Sequence, residues 1–312
     1  MDLLSKEDVQ NFRNLLRYFK QLAFDGVIPL IEKQLLLMLD NSLPFFTHLI
    51  LEATFQEIHR LTINRSVLGK NKRINEIKYL KYPPKELVTS YGRCNKPGQP
   101  VFYGGFSIMT ILAELRPRKG DLVTHSIWRV KNKTPLKFCP IFKNQPSEEV
   151  INTQMMEIEE MYNNAVKDYP IYLKDAIDEL HQFIADSFTK RVDPRNHLDY
   201  IFSAYFSDKI LHELDNGRVD AIYYPSVQEK LSFENIAIKP EVFDEKYDLV
   251  EVSDQVIEMD PSAGRGGYFG QGLSTCKSFD YSPGRICWET TTINQPKEKL
   301  FELKLNYGIE ID

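Results

Sequence analysis

No two of the four cysteines, Cys94, Cys139, Cys276 and Cys287, lie closer than 11 positions. The chain therefore lacks the CxxC spacing of a zinc site or redox dithiol, and free thiols in a reducing compartment are expected. The six histidines form neither HExxH nor HxH, which argues against a metal centre. Long apolar runs are missing too: stretches such as LLLML at Leu35 to Leu39 fall far short of the ~18 residues of a membrane span. The opening MDLLSKEDVQ has mixed charge where a secretory signal carries a basic region and then an apolar one, so a cytoplasmic protein that spans no membrane is expected. Low-complexity segments are absent. With 312 residues, 42% of them hydrophobic and 27% charged, the chain has the balance of a soluble globular protein. Its length suits one large domain with an appendage.

Acidic residues outnumber basic ones only slightly, 44 to 39, for a net charge of −5, but the basic charge is concentrated. From Arg60 to Pro100 ten basic residues stand against Glu76 and Glu86, a local +8 that leaves −13 for the rest. An acidic chain with one basic segment fits a local anion site or a solvated charged face better than a nucleic-acid binder.

The hydrophobic periodicity changes along the chain. Val9, Phe12, Leu15, Leu16 and Phe19 mark one face of a helix, and VIPLIEKQLLLMLD and PFFTHLILEATFQEIH extend the helical reading after breaks at Gly26 and Pro44. Residues 1–58 are expected to form an N-terminal helical cap. LTINRSVL and QPVFYGG then read as strands, FSIMTILAELRP as a short helix capped by Ser107 and stopped by Pro117, and DLVTHSIWRV as another strand. Helices return between about residues 147 and 213 as an insertion or crossover, before the strands AIYYP, FENIAI and YDLVEVSDQVIEM. SAGRGGYFGQG lacks the GxGxxG spacing with a following helix and reads as a loop. KLFELKLNYGIEI reads as a final strand. The expected class is α+β: a mixed sheet core over 59–245 and a strand-rich extension of the same domain over 246–312.

Chemistry-bearing residues gather at the ends of these elements. Arg65 and Arg93 lie near glycine-containing turns, Tyr103 ends an apolar strand, and Pro225 and Ser226 end a later one. On the helix Ile108 to Leu115, the stripe Ile108, Ile111, Leu112 and Leu115 leaves Glu114 about 60° beyond the edge at Ile111. A carboxylate bordering the buried face serves either structure or function.

The sequence of an early arginine, the GRCN turn, Tyr103, the helical pair Ala113 and Glu114, and YPS ending at Ser226 resembles the RES domain family. Asn235 in FENIAI matches the Asn-containing strand that follows the serine, and the resemblance runs from about Arg60 to Pro240. It implies an ADP-ribosyltransferase-like fold and a toxin that degrades NAD, paired with an Xre-like antitoxin. NAD would be substrate, with no other cofactor. Glu114, Arg93 and Ser226 would be catalytic, while Arg65, Arg93, Tyr103, Ser226 and Asn235 would bind substrate; Arg60 and Arg73 compete for the place of Arg65.

Elementary chemistry agrees with that implication. Cleaving the nicotinamide–ribose bond by hydrolysis or phosphorolysis develops positive charge on the ribose, which a carboxylate such as Glu114 stabilises. Guanidinium groups suit a pyrophosphate, Tyr103 suits stacking on nicotinamide, and Ser226 suits a hydrogen bond to amide or ribose. ADP-ribosyl transfer to a protein and a non-catalytic nucleotide-binding module are the alternatives, and oligomerisation is left open. Arg65, Arg93, Tyr103, Glu114 and Ser226 are expected to converge on one cleft.

Overall fold

The computed structural model describes residues 5–25, 32–42, 48–142, 153–193, 196–226, 234–263, 267–288, 292–293 and 297–311. The expected breaks at Gly26 and Pro44, the start of the insertion near 147, residues 227–233 and part of the glycine-rich stretch (264–266) lie outside them. In chain order the elements are α1 (Lys6–Asp25), α2 (Glu32–Ser42), β1 (Leu51–Ala53), β2 (Glu57–Ile63), α3 (Asn64–Leu68), β3 (Phe102–Gly105), α4 (Ile108–Leu115), β4 (Leu122–Val130) and β5 (Leu136–Pro140). They continue with α5 (Thr153–Val166), α6 (Ile171–Thr189), α7 (Ile201–Asp208), β6 (Ala221–Pro225), β7 (Glu234–Ile238), α8 (Pro240–Lys246) and β8 (Tyr247–Met259). The last are β9 (Phe269–Cys276), β10 (Phe279–Asp280), β11 (Arg285–Ile286), β12 (Thr292–Ile293) and α9 (Lys297–Tyr307). The class is α+β.

Two compact units divide the chain: residues 1–52, 85–99 and 137–227 form the first, and residues 53–84, 100–136 and 228–312 the second. These limits differ from the expected boundaries after residues 58 and 245.

In the first unit, Ser5 and Asp8 close a reciprocal cap on α1: the Asp8 amide donates to Ser5 Oγ at 3.1 Å and the Ser5 amide to Asp8 Oδ2 at 3.3 Å. Val9, Phe12, Leu16 and Phe19 are buried at helical spacing. The aromatic rings of Phe19, Phe202 and Phe183 link α1, α7 and α6 at centroid distances of 5.9 and 5.2 Å. The N-terminal helices and the inserted helices thus share one core instead of forming a separate cap and insertion. Strands β5 and β6 pair in parallel, Cys139 opposite Ile222, and a parallel pair requires a long crossover, which α5, α6 and α7 supply.

The second unit holds an antiparallel sheet with neighbour order β7-β3-β2-β4-β8-β9-β12. On one face, Leu61, Val123 and Ile257 pack against Ile111 and Leu112 of α4. On the other, Phe102, Trp128 and Phe243 form an aromatic group, with Phe102 and Phe243 stacked at 3.7 Å.

Four sequence expectations change, one of them at the glycine-rich stretch read as a loop, where Phe269–Cys276 is a strand paired with β8. The segment LILEATFQEIH is extended, not helical: Leu51–Ala53 and Glu57–Ile63 are strands, and seven consecutive residues of β2 pair with β4. Strand β2 stops at Ile63 because Asn64–Leu68 makes a helical turn, closed by Gly69 at φ 73°. The C-terminal KLFELKLNY is a helix, with Leu303 buried and Leu300 and Tyr307 partly buried beside Leu122, Val256 and Leu273. Spacings of three and four prevail there over the apparent alternation, helped by the helix-favouring Lys, Glu and Leu. Among the described residues no helix is long and apolar enough to cross a membrane.

Candidate active site

Strand β3 sets the geometry around Glu114. A Cβ on Gly104 would fall 2.4 Å from Ile58 Cγ2, and one on Gly105 3.0 Å from Ile111 Cγ2 and 3.4 Å from Asn235 Oδ1. The two glycines therefore permit β2 on one side and α4 on the other to approach the strand closely. Ser107 then caps α4, its Oγ accepting from the Thr110 amide at 3.1 Å. The helix ends with Arg116 left-handed at φ 50°, one residue before Pro117. Ile111 and Leu112 are buried as expected, whereas Leu115, in the last turn, is exposed.

This short helix carries Glu114 to Asn235. Asn235 lies opposite Gly105 in the β3–β7 ladder and is only 3% exposed. Its Nδ2 donates to Glu114 Oε1 at 3.1 Å. The amide donor gives the carboxylate a defined direction. Tyr103 is two residues before Gly105 on β3, so it shares the face that Gly105 and Asn235 present to α4.

The remaining candidates have other engagements. Arg65, half exposed on α3, forms an ion pair at 2.7 Å with Asp121, which is 1% exposed. One edge of the Arg65 guanidinium pairs with that buried carboxylate. Arg93 sits in the GRCN turn, where the Gly92 amide donates to the Asn95 carbonyl at 3.0 Å. Its NH1 donates to the carbonyls of Phe188 and Lys190, where α6 ends, and its guanidinium lies 5.1 Å from the Tyr200 ring centroid. A cation closing the carbonyl end of a helix is favoured by the helix dipole. Ser226 follows β6 and is fully buried. Arg93 and Ser226 belong to the first unit, and Arg65, Tyr103, Glu114 and Asn235 to the second.

Residues 73–258 match the RES domain. The chain belongs to the RES domain family. A comparison with curated proteins found no match. RES domains are associated in general with NAD-related, toxin-type function and with Xre-type antitoxin partners.

Two arginines that compete with Arg65 have distinct surroundings in this RES protein. Arg73 is buried, donating from Nε to Asp254 Oδ2 at 2.7 Å and from NH2 to Ser274 Oγ at 2.6 Å. It is a structural ion pair inside the second unit. Arg60 donates from NH1 to the Tyr103 carbonyl at 2.7 Å, and burial lowers its pKa to about 10. Its Nε is buried and has no hydrogen-bond partner among the described residues. A charged residue inside the alternating strand EIHRLTI was the available sequence signal for this position.

A histidine pair escaped the sequence reading altogether. His59 Nδ1 and His125 Nε2 lie 3.0 Å apart, their rings stacked at 5.2 Å. Burial lowers His125 to about 4, and the neighbouring His59 pushes it the same way. The two positions are 66 residues apart in the chain, so only strand pairing brings them together. Among the described residues no group of three His, Cys, Asp or Glu side chains is arranged to hold a metal.

Proposed function

We propose that this RES protein degrades NAD by cleaving the bond between nicotinamide and ribose. The observation that carries the reading is the Glu114 carboxylate, presented by a capped helix and held by the Asn235 amide at 3.1 Å. In NAD the nicotinamide ring is cationic, so it takes the bonding electron pair on leaving and departs neutral. The step needs no acid on the leaving group. It does need a fixed negative charge beside the ribose as oxocarbenium character grows, and a pre-oriented carboxylate supplies it. Water or phosphate then forms the new bond to the ribose carbon, and its proton is released to solvent.

Tyr103, on the same strand face, would stack on the nicotinamide. The basic segment would bind the pyrophosphate: Arg65 is half exposed beyond its pair with Asp121 and so keeps N–H donors for an anion, while Arg93 would act through the donors its carbonyl contacts leave unused. Ser226 would bind the amide or ribose. An Xre-like antitoxin would be the protein partner.

Mass spectrometry of NAD incubated with the full chain, with and without phosphate, tests the reading. Free ADP-ribose identifies hydrolysis and a phosphorylated ADP-ribose identifies phosphorolysis. Intact NAD under both conditions, or label appearing on a protein, would reject it. Calorimetry on Arg65→Ala and Arg93→Ala then tests pyrophosphate binding, with a loss of about 1.5–3 kcal/mol expected for each bidentate contact removed.

A further inference from the structure

The second unit contains a cavity of about 330 Å³, lined in part by Trp128, Tyr247, Tyr281, Lys78, Lys81 and Lys131. It lies on the face of the sheet opposite α4. Val123 on β4 packs with Ile111 and Leu112, and Trp128, five residues further along the same strand, projects from the other face. The cavity is therefore separate from the Glu114–Asn235 pair.

Its floor is rigid and aromatic. Tyr247 stacks on Phe243 at 5.6 Å, and Phe243 meets Trp128 edge-on at 4.8 Å. Tyr281 forms a wall: its hydroxyl donates to the Leu249 carbonyl at 2.6 Å, while the residue stays 56% exposed. Tethered at one end and open on the ring, it is a stacking platform with little rotamer freedom left to lose.

The rim is cationic but held in place. Lys81 Nζ reaches Asp244 Oδ1 at 2.7 Å, and Lys131 Nζ donates to the Asp244 carbonyl at 3.0 Å and lies 3.3 Å from Asp248 Oδ1. Two ammonium groups thus converge on one residue, and Lys78 adds a third, paired with Glu76 at 2.7 Å. Each ammonium has three N–H donors, and these contacts leave donors for an incoming anion. Asp244 and Asp248 offset two of the three positive charges in the lining, and Glu76 pairs with the third, so an anion would be held by the ammonium N–H donors these pairs leave unused. A single phosphate group can take those unused donors, whereas a polyphosphate would also meet the two aspartates.

We propose that this cavity is a binding site for a nucleoside monophosphate, the base stacked on Tyr281 and the phosphate held by Lys78, Lys81 and Lys131. The volume falls in the range of small-molecule sites.

Calorimetry on the full chain with AMP, adenosine, inorganic phosphate and ATP tests this. AMP is expected to bind at least tenfold more tightly than adenosine or phosphate alone, and ATP no more tightly than AMP. Tyr281→Ala and Lys81→Met should each weaken AMP binding about fivefold or more. Tyr281→Phe, which keeps the ring, should retain most of it. Lys78 is exposed, so Lys78→Met leaves the fold intact and should still weaken binding about threefold. Glu114→Gln should leave AMP affinity unchanged. Absence of AMP binding at millimolar concentration, a preference for ATP, undiminished affinity in the Tyr281→Ala and Lys78→Met variants, or loss of affinity in Glu114→Gln would each overturn the assignment. The readout is independent of NAD turnover, so its failure leaves the active-site reading standing, and the reverse also holds.

Discussion

His181 in the first unit and the Arg73–Asp254 pair in the second bury polarity in opposite ways. In the first unit, His181 is only 4% exposed, and neither ring nitrogen has a hydrogen-bond partner among the described residues. It sits among aromatic rings instead, 4.7 Å from Tyr162 and 4.2 Å from Phe142 between centroids. At Arg73 the second unit buries charge and satisfies it: Arg73 bonds to Asp254 and Ser274, and Thr124 Oγ1 donates to Asp254 Oδ1 at 3.0 Å. A helical core thus tolerates a titratable group by keeping it neutral. The sheet tolerates an ion pair by surrounding it with donors, although burial still pushes Asp254 upward against the pull of Arg73.

The largest effect that would break this comparison is removal of one partner of the buried pair. Arg73→Met is expected to destabilise the protein by about 3–5 kcal/mol in urea unfolding, because Asp254 is left charged and unpaired. Replacing both together, Arg73→Met with Asp254→Leu, should recover much of that loss. If the double variant is as unstable as the single one, packing at these positions matters more than the unpaired charge.

The next effect concerns acid. Burial lowers His181 to about 4, so the folded state favours the neutral ring and the unfolded chain binds more protons between about pH 6.5 and 4. Stability from this group is complete above the upper limit and falls as the pH drops through that window, by at most ~1.4 kcal/mol per pH unit. His181→Phe should flatten the urea midpoint against pH by that increment. His48 and His125, also lowered by burial, would maintain the rest of the slope.

The smallest expected effect is at the surface of the first unit. Arg13 NH2 lies 2.5 Å from Glu179 Oε1 across α1 and α6, with both side chains partly exposed. Arg13→Ala should cost no more than about 1 kcal/mol by the same unfolding measurement. A larger loss would mean that polar contacts, not the Phe19–Phe202–Phe183 rings, hold these helices together.

Legibility in the sequence followed the range of the interactions. Helix α1, the Ser107 cap and the position of Glu114 at the edge of the α4 stripe were readable, because caps and periodicity act within a few residues. The short apolar segments around Leu51 and Leu303 were misread, since helix and strand patterns overlap there and packing partners decide between them. The bond from Asn235 to Glu114 spans 121 positions, and family resemblance had grouped these residues without showing their contact. The engagements of Arg65 with Asp121 and of Arg73 with Asp254 depend on strand pairing and had no local signature.

Glu114→Gln tests the central claim most directly, because it preserves the size of the side chain and its ability to accept from Asn235 while removing the charge. Measured as NAD turnover, the rate should fall about 10²- to 10³-fold, equivalent to roughly 2.7–4 kcal/mol of transition-state stabilisation, with NAD affinity little changed and the unfolding midpoint preserved. A folded Glu114→Gln protein that consumes NAD at the parent rate would contradict the assignment.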